Sequence, residues 1–348
     1  PLFALTMASS VITFLAQSSF GAAVSLTTLP LGDRLVNITL SYAKYIVMMF
    51  YPVNLGLWYP FDEKIDPFKV IGAAILLIAV SVFCWQQRKE RRYLLMGWLW
   101  FLGTLVPVIG LVQVGLQSLA DRYTYVPYFG LFIMLAWGIG DLVTRFKINK
   151  IAVAAVCVGV IGTLSVLTVA QVSKWQNSET LYTHTLSFTS KNYFLMSNLC
   201  LYYINNADKP TAERRCTELL EATPPSAEAY NILGMLRTDI GKFDDAASFL
   251  ERGIQMNPNW AILHLNYAVA LTKQNKIEDA EKALLKAKSI PDGSISRQSA
   301  ARACNDLAVA FEKKGQIDKA KDYYSQATQL DPDFADAAAN FNRINGSK

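Results

Sequence analysis

Residues 1–171 contain long runs with no charged side chain, and roughly 20 mostly apolar residues are what one helix needs to cross a hydrocarbon layer. Apolar runs of this kind stand at Leu2–Ala16, Pro67–Trp85, Tyr93–Gly110, Tyr125–Val143 and Ile151–Gln171. Beyond residue 171 the chain turns polar and periodic. The net charge of +5 and the mean hydropathy of +0.22 therefore average two unlike halves, and composition is informative only by segment. The expected fold class is all-α: a polytopic transmembrane helix bundle over 1–171, a connecting helix over 172–192, and an α-solenoid over 193–348.

The first 32 residues carry no charge, and Leu2–Ala16 reads as a span rather than a signal peptide because no basic segment precedes it. The chain opens on Pro1 rather than Met, as an interior piece of a longer protein would. Two short connections are basic, Arg88-Lys89-Glu90-Arg91-Arg92 and Arg145-Phe146-Lys147 with Lys150. The positive-inside rule turns both toward the cytoplasm. The segment around Asp62, Glu63, Lys64 and Asp66, the loop Leu111–Thr124 and everything after residue 171 then face outward. The expected location is a bacterial inner membrane, or the endoplasmic reticulum of a eukaryote, with the solenoid on the periplasmic or lumenal side. Arg34–Phe50 reads as a helix but contains Asn37 and Lys44. An interfacial helix with Lys44 reaching headgroups is the preferred reading, and a full span with a snorkelling lysine is the alternative.

The second half repeats every 34 residues, the length of a tetratricopeptide helix-turn-helix unit. Ala212, Ala246 and Ala280 keep that spacing, as do Leu199, Leu233 and Tyr267. Small residues belong where the two helices of a unit touch. Pro224 and Pro258 share the spacing at unit ends, where proline stops a helix. Ala320 follows Ala280 by 40 residues, so a six-residue insertion lies at Pro291-Asp292-Gly293-Ser294. Four units are expected, at about 193–226, 227–260, 261–294 and 301–334, with 335–345 as a closing helix. The first unit matches least well, carrying Met196 and Cys200 where the repeat pattern prefers an aromatic and a glycine. Asn231, Arg237, Asn266 and Lys273 are periodic polar positions that a groove or a plain solvated face would both show.

Of five cysteines, Cys84 and Cys157 fall in expected spans and read as small apolar fillers. Cys200 and Cys216 lie on the two helices of the first unit. A disulfide between them and two free thiols are both open readings, and Cys304 is left single. His184 and His264 have no second soft donor at ligand spacing, so no metal site is expected. Phosphate-binding, dinucleotide and nucleophile-elbow motifs are missing, and neither a soluble cofactor nor a nucleic-acid partner is expected.

Chemistry is concentrated in the outer loop. Asp121 and Arg122 precede an apolar helix, with Tyr123 and Tyr125 beside them. Adjacent residues on a helix do not face one another, so the carboxylate and the guanidinium address different partners. A planar guanidinium suits a phosphate, and tyrosines suit a boundary with one wet side. An interface anchor without ligand would use the same residues.

The loop Ala120-Asp121-Arg122-Tyr123-Thr124-Tyr125-Val126-Pro127, the stretch from Phe50 through Tyr51-Pro52 to Tyr59-Pro60, and the repeats that follow resemble a family of membrane proteins. These carry C-terminal tetratricopeptide repeats and are related to protein O-mannosyltransferases. The resemblance implies a C-superfamily glycosyltransferase that moves a sugar from a polyprenyl-phosphate carrier to a protein hydroxyl on the outer face. The family's acidic catalytic residue lies in an earlier outer loop, expected upstream of Pro1, so no catalytic base is assigned. The expected reaction is a single displacement at the anomeric carbon, with Arg122, then Lys44 and Arg34, as candidate cations for the lipid phosphate and Asp121 orienting Arg122 or a sugar hydroxyl. The solenoid would hold the acceptor peptide or another protein. The rival reading is a membrane-anchored tetratricopeptide scaffold for envelope assembly or secretion, without chemistry of its own; a lipid-linked glycan polymerase or ligase is a further one.

Overall fold

The computed structural model describes residues 30–61, 65–110, 117–206, 208–222 and 226–346. The span expected at Leu2–Ala16, the triplet Asp62-Glu63-Lys64, residues 111–116 of the outer loop and Pro224 lie outside them. Among the described residues every regular element is a helix, with one isolated antiparallel bridge between Tyr59 and Leu119. The chain divides into two compact units, Pro1–Asn192 and Tyr193–Lys348.

The first unit contains α1 (Leu31–Phe50), α2 (Pro67–Gln86), α3 (Arg92–Leu105), α4 (Tyr128–Arg145), α5 (Lys150–Val172) and α6 (Ser178–Leu186). Asp66 caps α2 through the Phe68 N–H, with Pro67 at the first helical position where its missing donor costs nothing. Leu94, Trp98, Phe101 and Leu105 form one buried stripe on α3 at helical spacing. That stripe meets Tyr42 and Tyr45 of α1 and Leu131 of α4. The Trp98 indole donates to Ser81 Oγ at 2.9 Å, so even its polar edge is satisfied.

Among the described residues, three helices are long and apolar enough to cross a membrane: Pro67–Gln86, Tyr128–Arg145 and Lys150–Trp175. The expected span Tyr93–Gly110 differs. Its helix has 14 residues and stops at Leu105, because Pro107 has no N–H to continue the helical hydrogen bonds and Gly110 turns the chain at φ 103°. The 14-residue helix alone reaches about 21 Å, less than a hydrocarbon core, so a crossing between the two basic connections would have to include the turn at residues 106–110. The single connecting helix expected over 172–192 is also divided. A 3-10 turn at Ser173–Trp175 closes α5, and Asn177 opens α6 by accepting the Thr180 N–H at 2.8 Å. Asparagine competes for backbone donors and so starts a new helix rather than continuing the old one.

The second unit is a row of helix pairs: α7 (Tyr193–Asn205) with α8 (Lys209–Ala222), α9 (Ala227–Asp239) with α10 (Phe243–Met256), α11 (Ala261–Lys273) with α12 (Ile277–Ser289), and α13 (Arg297–Lys313) with α14 (Ile317–Leu330). Helix α15 (Ala335–Gly346) packs on the last pair. Ala212, Ala246, Ala280 and Ala320 are each fully buried where paired helices approach. The insertion after α12 has a local task. Asp292 Oδ2 accepts from the Ala261 N–H at 2.7 Å and Ser294 Oγ from the Ile262 N–H at 3.1 Å, capping α11 across about one repeat of sequence.

Candidate functional site

In the first unit, the two loops singled out by sequence are held to one another. Pro52 and Pro60 bias the preceding Tyr51 and Tyr59 away from helical backbone, so residues 51–60 run as an irregular loop. Ser118 donates to the Tyr59 carbonyl twice, from its N–H at 2.8 Å and its hydroxyl at 3.1 Å. Asn37 and Ser41 of α1 donate to the Ser118 carbonyl at 3.0 and 3.5 Å. The buried Tyr45 hydroxyl donates to the Ala120 carbonyl and accepts from the Ala120 N–H, both at 3.1 Å.

Asp121 opens a 3-10 turn, Asp121–Thr124. Its Oδ2 accepts from the Gly56 N–H at 2.9 Å and the Tyr59 hydroxyl at 3.2 Å. Its Oδ1 is buried and has no partner among the described residues. Burial pushes the Asp121 carboxyl up to about 6, against the opposing pull of the Tyr59 hydroxyl, the Gly56 N–H and the charges of Lys44 and Arg122. Burial, reinforced by that carboxylate, raises the Tyr59 phenol as well. Gly56 sits close against α6 and Phe188 just beyond it: a Cβ would come within 2.7 Å of the Phe188 ring and 2.8 Å of the Thr185 methyl, so these side chains would have to shift. Leu57 donates its N–H to the buried Thr185 hydroxyl at 3.3 Å, tying the loop to α6.

Beside this clasp lies a cavity of about 900 Å³. One face of α1 lines it, with Asp33, Asn37, Ser41 and Lys44 at successive turns, and Tyr59 and Lys191 contribute from other segments. The Lys44 ammonium sits 4.5 Å from the Tyr59 ring centroid. Of the expected phosphate-binding residues, Lys44 lines the cavity and Asp121 stands behind Tyr59, outside the lining. Arg34 is buried on α1 at 5 % exposure, also outside the lining. Arg122 leans over the Tyr123 ring at 5.2 Å, and the Tyr123 hydroxyl accepts from Gln117 at 3.1 Å. Tyr125 is 77 % exposed. Lys44, Tyr59 and Asp121 are thus brought together, whereas Arg122 and Tyr125 are not brought to the cavity. Oδ2 of Asp121 is engaged by the Gly56 N–H and the Tyr59 hydroxyl. Lys191 was not singled out by sequence; Asn37, Gly56 and Tyr59 fell within the helix and loop that it marked but were given no role, although the polar stripe on α1 was available as a signal.

In the second unit, Asn266 Nδ2 donates to Asn231 Oδ1 at 2.8 Å, and Asn340 Nδ2 to Asn305 Oδ1 at 3.1 Å. These amides link first helices of successive repeats. Arg237 is paired with Glu213, and Lys273 with Asp306 at 2.8 Å, so both cations are engaged inside the unit. Cys200 and Cys216 form a disulfide between α7 and α8 with Cα atoms 5.2 Å apart. Cys84 and Cys304 are buried thiols and Cys157 an exposed one. The His264 ring is packed, with Nε2 2.9 Å from the Pro258 carbonyl. Among the described residues no group of three or more His, Cys, Asp or Glu is placed to hold a metal ion.

The tetratricopeptide-repeat pattern matches residues 239–303 and 301–334. No curated protein matches the chain. Several solved structures are similar in part. A tetratricopeptide protein of Thermus thermophilus is 17 % identical with a TM-score of 0.41, over 51 % of this chain and 94 % of that one. YrrB, described as a tetratricopeptide protein with an unusual peptide-binding site, is 16 % identical with a TM-score of 0.38, over 49 % and 86 %. Pseudomonas aeruginosa PilF is 19 % identical with a TM-score of 0.39, over 44 % and 67 %. The C-terminal unit of this chain carries tetratricopeptide repeats.

Proposed function

We propose that the chain is a membrane protein whose tetratricopeptide solenoid holds a protein or peptide partner. The observation that carries this reading is the row of helix pairs itself, since stacked pairs present an extended surface along their first helices. Asn266, partly exposed on α11 and bridged to Asn231, lies on that row. A photo-crosslinking residue placed at Asn266 in the full chain is expected to capture a discrete partner in cells. The same residue at Lys282, exposed on a second helix, is expected to capture none; equal yields at both positions would reject the reading. The basic connections after α2 and α4 favour an outward-facing solenoid, and the Cys200–Cys216 disulfide suits an oxidising compartment.

A second reading, favoured by the cavity beside α1, adds chemistry to the scaffold. A pocket of about 900 Å³ lined by two cations, Lys44 and Lys191, against one carboxylate, Asp33, in a unit whose described residues include three helices long enough for a bilayer, suits the phosphate of a lipid carrier. The proposed reaction is transfer of a sugar from polyprenyl phosphate to a Ser or Thr hydroxyl of a protein. Attack of the hydroxyl oxygen at the anomeric carbon breaks the bond to the phosphate oxygen, a carboxylate base takes the hydroxyl proton, and a cation stabilises the departing phosphate. Lys44 takes the role that the sequence suggested for Arg122. Transfer measured in membranes holding the full-length protein is expected to fall with Lys44→Ala and to persist with Arg122→Ala. Normal transfer by Lys44→Ala would remove the cavity from the mechanism.

A further inference from the structure

We infer that Asp121 is a positioning residue for a phosphate-ester ligand of the α1 cavity: by holding the Tyr59 hydroxyl and the Gly56 N–H, it fixes the Tyr59 ring against which the Lys44 ammonium rests. This inference rests on the lipid-phosphate reading of that cavity.

Lysine carries its charge on a flexible four-carbon stem, so where the ammonium stands depends on what confines it. Here an aromatic face lies 4.5 Å from the nitrogen, a distance at which the ring quadrupole attracts a cation. The ring is worth more as a guide the less it can pivot. Its oxygen accepts from the Gly56 N–H at 2.9 Å, and its one proton is shared between Asn54 O at 3.1 Å and Asp121 Oδ2 at 3.2 Å. Asn54 and Gly56 belong to the same loop as Tyr59 and would move with it. Asp121 belongs to the other loop, and as a charged acceptor it holds both donors more strongly than a neutral group would. The Tyr59 backbone is already held to the second loop by Ser118; Asp121 adds the tie from that loop to the phenol itself and to Gly56.

The carboxylate costs stability where it is. One oxygen is buried without a partner among the described residues, and burial holds the group against ionisation. It also carries the wrong sign for an anion site. Its place behind Tyr59 rather than on the lining keeps the ring between it and the ligand. These features make the effect of its removal diagnostic in sign. If Asp121 acted through charge alone, deleting the carboxylate would tighten anion binding. If it acts through position, deletion loosens binding.

The test uses the full chain in phosphatidylcholine nanodiscs, titrated with farnesyl phosphate and, separately, with inorganic phosphate. Asp121→Ala is expected to weaken binding about fivefold, the factor equivalent to an exposed cation–π contact. Tyr59→Phe, which keeps the ring and removes the hydroxyl, is expected to weaken it similarly. The double variant is expected to lose no more than either single one, because both cut the same tie. Asp121→Asn keeps an acceptor oxygen in place and removes the charge, so it restores wild-type affinity or exceeds it. Its unfolding temperature also verifies that the site tolerates substitution. Binding of both probes assigns the cavity to a phosphate group as such, and binding of farnesyl phosphate alone assigns it to a lipid-linked one; the order of variants upholds the inference in either case. Unchanged or tighter binding in Asp121→Ala overturns the positioning role while leaving the lipid-phosphate reading intact. No binding of either probe by the wild-type chain overturns that reading and the inference with it.

Discussion

A carboxyl group behind a phenol titrates unlike one in water, and Asp121 makes that measurable. Its folded-state value of about 6 lies above the ordinary 3.8. Between those values the folded chain binds more protons at this residue than the unfolded chain, so its contribution favours folding below about pH 4 and is lost as pH rises through 6. Asp121→Asn has no charge to bury. Relative to wild type, its thermal midpoint in detergent is expected to rise between pH 4.5 and pH 7; a constant difference across that range would contradict the raised value. Glycine supplies a second case at this scale. Gly97 of α3 and Gly130 of α4 lie back to back, and a Cβ on either would strike the other's carbonyl oxygen. Backbone cannot give way as a side chain can, so Gly130→Ala is expected to push the helices apart and cost roughly 1–3 kcal/mol. Gly103→Ala on the same α3 meets nothing within 4 Å and is expected to be neutral or stabilising in the same denaturation series. The sequence displayed Asp121 and Arg122 equally. Only the placement of Gly56 and Tyr59, more than sixty residues away in the chain, assigns the carboxylate to the clasp and leaves Arg122 over Tyr123.

Among the elements, the solenoid helices end by a shared device that the repeat period makes visible. Gly241, Asn275 and Gly315 stand at equivalent turns with φ of 81°, 63° and 76°. Each is the residue type that enters the left-handed region at least cost, and the N–H groups of each turn return to carbonyls of the helix just ended. The start of α11 is handled differently, since Trp260 supplies no side-chain cap and Asp292 reaches back from the insertion. Asp292→Ala is expected to cost about 1 kcal/mol, read as a lower urea midpoint, with faster amide exchange at Ala261 and Ile262 but not in α12. The α7–α8 pair has a covalent tie instead. Its disulfide closes a separation of 16 residues, for which the chain-entropy argument gives about 3 kcal/mol. Cys200→Ser/Cys216→Ser is therefore expected to unfold α7 and α8 at lower denaturant. Added reductant should destabilise the wild type toward that level without affecting the variant. The shortfall of α3 belongs to this scale too. Its apolar composition extends to Gly110, but a proline at 107 ends the helix earlier than hydropathy suggests.

For the whole molecule, the charge pattern makes one strong commitment. If the basic connections after α2 and α4 face the cytoplasm, alkaline phosphatase joined after Gly346 is expected to be active in a bacterial host. Inserted at Ile148 it should be inactive; the reverse pattern would invert the proposed topology. Much of the architecture needs no coordinates to be read. Apolar length marks Pro67–Gln86, Tyr128–Arg145 and Lys150–Trp175 as helices able to span a bilayer, because hydrocarbon thickness sets a local requirement on consecutive residues. The period of 34 marks the repeats, confirmed by the pattern match over 239–334, because each unit must bury the same face against its neighbour. Both are properties of contiguous sequence. The clasp of Asp121 with Gly56 and Tyr59, the cavity along α1, the engagement of Arg237 and Lys273 within the solenoid, and the cap from Asp292 to Ala261 are of another kind. The paired contacts join residues about 24 to 65 positions apart, the cavity draws on residues from Asp33 to Lys191, and contacts at such separations depend on how loops close over packed helices. Local propensity has no term for that, so tertiary structure alone decided which of the polar residues visible in the chain would meet.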